Sequence, residues 1–121
     1  EGETSVYVQY TCARANSVLM KSGNVGTVPE NYQPNAQEFE VVKQLAAFPE
    51  ILTEAADKYE PCYIARYAVD LSQKFNKFYF DCKILTAEGD AKSFRLALTQ
   101  AVLQTLKNAL SILGIGVPDK M

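Results

Sequence analysis

Apolar residues recur at three- and four-residue steps along most of this chain, and nowhere do they alternate with period two over a useful length. That spacing belongs to amphipathic helices. The first predicted helix is TSVYVQYTCARANSVLMKSG (4–23), closed by Gly23 in a left-handed cap. Its opening, VYVQY, carries strand-forming residues that weaken the first turn. GNVGTVPENYQPN (23–35) is rich in Gly, Pro and Asn and predicts a long loop, either a dispensable insertion or a binding loop. AQEFEVVKQLAAF follows as a helix capped by Asn35, then PEILTEAADKYE with Pro49 at its first position, and Pro61 opens the next in the same way. Asp90 is the expected cap of AKSFRLALTQAVLQTLKNALSIL, which Gly114 ends. The predicted architecture is all-α, a bundle of about five helices.

Two of these helices carry further information. Projected at about 100° per residue, positions 62–83 place Ile64, Ala68, Leu71, Phe75, Phe78 and Cys82 on one core stripe. Arg66, Asp70, Lys74, Lys77 and Asp81 form the opposite, charged face. Phe80 falls near Val69 on a smaller apolar strip; burial on two sides is the favoured reading and a docking patch the alternative. Tyr79 lies at the edge of the core stripe, beside Ser72, Asn76 and Lys83. It is either a tyrosine snorkelling at the core boundary or a stacking platform for a base. On the first helix, Tyr7, Tyr10, Arg14 and Lys21 share roughly one stripe. The last helix is apolar around most of its circumference and is expected to be central. Its polar seam is Gln100, Gln104, Lys107 and Ser111, bordered by Asn108.

Composition narrows the chemistry. The 121 residues contain no histidine, which removes the usual general base and every Ser-His or Cys-His pair. The three cysteines, Cys12, Cys62 and Cys82, are far apart, so no zinc site is expected. They read as small buried or half-buried residues in a reducing cytosol. Chemistry by this chain alone is disfavoured, with no catalytic residue, metal ligand or cofactor expected. No apolar run is long enough to span a bilayer, and no secretory signal is visible. Net charge is −2, yet residues 61–121 hold eight Lys/Arg against five Asp/Glu, an asymmetry that can steer a polyanion to one face.

Taken in order, YVQYTCAR (7–14), FPEIL (48–52), FNKFY (75–79), RLALTQAV (95–102) and LKNALSILGIGVPDKM (106–121) resemble the C-terminal, DALR-type anticodon-binding domain of arginyl-tRNA synthetases. The resemblance covers essentially the whole chain. It implies a helical bundle that receives the anticodon arm of tRNA(Arg), within a class I enzyme that joins arginine to tRNA using ATP and magnesium. The HIGH-like and KMSKS-like signatures of that enzyme's nucleotide-binding domain are absent. Residues 1–121 are thus expected to be an anticodon-binding domain without its catalytic domain, inactive alone, cytoplasmic, monomeric and docked in cis onto the missing part. The alternative is a helical protein–protein module using Phe80 and the Phe75–Tyr79 edge.

Carried over by position, the resemblance makes Tyr79 a ring that packs on an anticodon-loop nucleotide, with Asn76 and Lys83 beside it. Met121 matches the terminal methionine that closes the pocket, and Tyr10 and Arg14 match a first-helix pair lying along the loop. Residues 23–35 take the place of a variable loop near the anticodon. Lys107 and Asn108 stand between phosphate contact and a structural role. Cys12 and Cys62 replace histidines frequent in such domains, which puts histidine-mediated contacts in doubt. Arginine anticodons share a central cytosine, whose pairing edge can be read once the base is unstacked.

Overall fold

A computed structural model describes residues 2–24 and 26–115, and among these there are five helices and no strand. They are α1 (Gly2–Ser22), α2 (Ala36–Ala46), α3 (Phe48–Lys58), α4 (Cys62–Asp81) and α5 (Gly89–Ile112). The expected all-α bundle is what forms.

The boundaries follow local chemistry. Gly23 adopts a left-handed φ of 82° and its N–H closes α1 on the Leu19 carbonyl. Asn35 caps α2 through a reciprocal box: its side chain accepts from the Glu38 N–H, and the Glu38 carboxylate accepts from the Asn35 N–H. α2 and α3 meet at Ala47 alone, and Phe48 belongs to α3, so Pro49 sits second in its helix instead of first. Proline supplies no N–H and its ring crowds the carbonyl four residues back, which stops α2 from running through. α3 ends at Lys58, earlier than the sequence suggests, because Tyr59 turns left-handed with φ 53°. Pro61 is the residue before α4, and α5 starts at Gly89 with Glu88 as its cap, so Asp90 lies in the first turn and does not cap.

The core stripe of α4 is as projected: Ile64, Ala68, Leu71, Phe75, Phe78 and Cys82 are all buried. α4 packs on all four other helices, whereas α5 packs on α1, α2 and α4. The central element is therefore α4, although α5 is the more uniformly apolar. The polar seam of α5 does reach solvent at Gln104, Lys107, Asn108 and Ser111. α1 contributes Val8, Cys12, Ala15, Val18 and Leu19 to the core, which turns Tyr7, Tyr10 and Lys21 outward beside α4.

The loop after α1 is pinned to α5. Gly26 has φ 70°, and a Cβ there would lie 2.4 Å from the Ser93 carbonyl oxygen. Thr27 and Ser93 exchange hydrogen bonds through backbone and hydroxyl. The Tyr32 ring stacks on Phe94 with centroids 4.5 Å apart, and its hydroxyl donates to the Glu38 carboxylate. Glu38 is fully buried and receives Arg95 Nε at 2.6 Å, while Arg95 Nη1 donates to the Lys83 carbonyl. One carboxylate thus ties together the loop, the start of α2 and the α4–α5 connection. A buried pair of this kind survives because its lone pairs are filled.

Candidate nucleic-acid interface

A cleft of about 330 Å³ opens between α1 and the end of α4. Tyr10, Ala13, Arg14, Ser17, Val18 and Lys21 line it from α1, Tyr79 from α4, and Leu85 from the connection that follows. None of these described lining residues is acidic, so Arg14 and Lys21 give the lining a net positive charge.

The centre of this surface is Arg14. Its guanidinium carbon lies 4.6 Å from the Tyr79 ring centroid, 5.0 Å from Phe80 and 5.7 Å from Tyr10. Each contact is within cation–π range. Arg14 Nη1 donates to Asn76 Oδ1 at 2.8 Å, which holds the guanidinium over the rings. Behind it, Tyr79 packs on the buried Phe75, with centroids 6.3 Å apart, and meets Phe80 edge-on at 5.4 Å. The Tyr79 ring is half-buried: it is anchored inward and covered on one side by a cation. The surface offered to a flat ligand is therefore a guanidinium–phenol pair rather than a bare tyrosine.

Tyr10, Arg14, Asn76 and Tyr79 are thus brought into one cluster across two helices. Lys83 is exposed past the end of α4 and does not line the cleft. Lys107 and Asn108 lie on the α5 seam, also outside the lining, where Asn108 accepts from Gln104 Nε2 at 3.0 Å. Met121 lies outside the described residues. Phe80 is not buried on two sides: it is 72% exposed, while Phe78 and Cys82 on either side of it in sequence are buried. Of the residues named for a protein partner, Phe75 is wholly buried, Tyr79 is half-buried and Phe80 is exposed.

Leu85 and the Asn76 network escape sequence reasoning. The second apolar strip hinted at Phe80, but Leu85 arrives from a connecting segment with no helical register, and hydrogen bonding between residues 62 apart has no local trace. The cysteines play no part in the cleft. Cys12 is buried, and burial pushes its thiol up to about 11, partly offset by the nearby Lys107 charge. Cys82 is buried too, whereas Cys62 is exposed and hydrogen-bonded to Glu60, contrary to the buried reading.

The profile of the DALR anticodon binding domain family matches residues 8–121. The chain belongs to that family. It is 46% identical to an arginine–tRNA ligase of Lactobacillus acidophilus and 44% identical to one of Clostridium beijerinckii, in each case over all of this chain and 22% of the relative. The solved structure of Thermus thermophilus arginyl-tRNA synthetase superposes with a TM-score of 0.89 and 35% identity, over 95% of this chain and 21% of that one. A putative arginyl-tRNA synthetase from Campylobacter jejuni shares the fold with a TM-score of 0.86. The chain spans about a fifth of the length of the curated relatives it matches. Among the described residues no helix is long and apolar enough to cross a membrane.

Proposed function

We propose that this chain is the anticodon-binding part of an arginyl-tRNA synthetase and grips the anticodon arm of tRNA(Arg) in the α1–α4 cleft. The observation that carries the proposal is Arg14, held by Asn76 between the rings of Tyr10, Tyr79 and Phe80 in a cleft with no carboxylate among its described lining residues. Unstacking a loop base costs a few kcal/mol. Stacking on an aromatic or guanidinium plane returns about 1–3 kcal/mol per base, and Arg14 and Lys21 add sequence-blind attraction to phosphates. Joining arginine to tRNA, with ATP and magnesium, falls to the catalytic part of the same cytoplasmic enzyme, to which this bundle is attached in cis. In this reading the enzyme works as a monomer.

The test is a titration with an arginine anticodon stem-loop and with the same hairpin carrying a central G. The expected result is preference for the C-containing hairpin, lost in Tyr79→Ala. Equal binding of the two hairpins by the unmodified chain would leave non-specific electrostatics alone and overturn the proposal.

A further inference from the structure

Resting on that reading, we infer that the Tyr7 hydroxyl is a binding group for an RNA backbone phosphate, and that Asn76 is the positioning residue that makes it a donor. The directions of the hydrogen bonds follow from chemistry. Arg14 can only donate, so the Asn76 atom facing it at 2.8 Å is the carbonyl oxygen. Asn76 Nδ2 then carries two protons, and two oxygens lie 3.0 Å away to receive them: Tyr7 Oη and Thr11 Oγ1. The Thr11 hydroxyl spends its own proton on the Tyr7 carbonyl, also at 3.0 Å. Every polar atom of Asn76 is thereby committed inside the protein, which leaves it no donor for RNA. The Tyr7 hydroxyl, having accepted from Asn76, keeps its own proton, and among the described residues that proton has no acceptor.

Where that proton is offered identifies the ligand. Tyr7 is 37% exposed and lies outside the cleft lining, tied to the lining residue Arg14 through one shared amide, which puts its hydroxyl at the cleft's edge. A base held among Tyr10, Arg14 and Tyr79 leaves its sugar–phosphate chain at such a rim. A phosphate oxygen accepts and never donates, which suits a lone O–H beside a guanidinium.

Tyr7→Phe removes only the hydroxyl. The expected result is about tenfold weaker binding to the C and G hairpins alike, with the C preference and melting temperature unchanged. Asn76→Asp supplies the second arm, because a carboxylate still receives Arg14 but now takes the Tyr7 proton for itself. In that background Tyr7→Phe should change affinity less than twofold. Replacing loop phosphates one at a time by uncharged methylphosphonates should weaken wild-type binding at one position where Tyr7→Phe is indifferent. Wild-type affinity in Tyr7→Phe, or a tenfold loss that persists in the Asn76→Asp background, would overturn the inference. A Tyr7 effect confined to the C hairpin would assign the hydroxyl to a base edge and overturn it equally. If Tyr7→Phe is silent while Tyr79→Ala still abolishes the C preference, the inference fails alone. If the unmodified chain shows no C preference, both readings fall.

Discussion

Arg14 does at the scale of one side chain what no single ring in this protein does. Its guanidinium lies over the half-buried phenol of Tyr79 and within reach of the Tyr10 and Phe80 rings, so one cation joins three aromatic side chains. Lysine has neither the plane nor the fork that Asn76 receives. Arg14→Lys should therefore weaken hairpin binding about tenfold while moving the melting temperature little, since the site lies at the surface. Fluorescence titration beside a thermal melt separates the two effects. Cys12 supplies a contrasting case, a titratable residue that matters to stability and not to binding. Its folded-state value of about 11 lies above the ordinary 9.0. The neutral thiol thus stabilises the fold fully below about pH 9, and that contribution is lost as pH rises toward 11. Between pH 8 and 10.5 the loss amounts to about 2 kcal/mol. Urea midpoints should fall over that range by less in Cys12→Ala than in the unmodified chain; equal falls would exclude the thiol as the source.

At the scale of elements, helix ends and loop anchors decide where the site's parts stand. Tyr59 closes α3 in a left-handed conformation although it is not glycine, and it is 92% exposed, so its ring contributes little packing. Tyr59→Gly should raise stability by roughly 1 kcal/mol, read as a higher melting temperature. The opposite outcome is expected at Gly26, where φ is positive and the Ser93 carbonyl leaves no room for a methyl group. Gly26→Ala should destabilise by about 1–3 kcal/mol and loosen the 23–35 loop, visible as faster amide exchange there. Arg95→Met leaves the buried Glu38 carboxylate without its cation and should cost about 3–5 kcal/mol. Because that carboxylate also holds Tyr32 and Asn35, the loss should spread to the start of α2.

Over the whole molecule, the arrangement separates a rigid interior from a cationic seam. α4 is buried along one stripe from Ile64 to Cys82, and its last turns carry Asn76 and Tyr79 to the place where α1 brings Tyr10 and Arg14. In the proposed reading, a chain of net charge −2 would bind RNA through such a local seam against its own background charge. Affinity should therefore fall steeply as salt rises, and Lys21→Ala should flatten the slope of log K against log salt by about 0.7 for a single-stranded loop. An unchanged slope would place Lys21 outside the RNA path.

Much of this is legible in the sequence itself. Helical periodicity marked the core stripe of α4 residue by residue, and Gly23, Asn35 and Gly114 marked real ends, because a repeating apolar face and a cap are local properties. The stripe of Tyr7, Tyr10, Arg14 and Lys21 was visible for the same reason. What the sequence could not contain is which stripe meets which. Asn76 reads alone as a polar residue at a helix edge, and only the packing of α4 on α1 brings it to Tyr7, Thr11 and Arg14 and sets the direction of every proton between them. That Phe80 is left exposed while Phe75 is buried, five residues apart on one helix, likewise depends on which faces of α4 its neighbours cover. Periodicity orders side chains around one axis; only tertiary packing relates two axes, and the cleft lies between them.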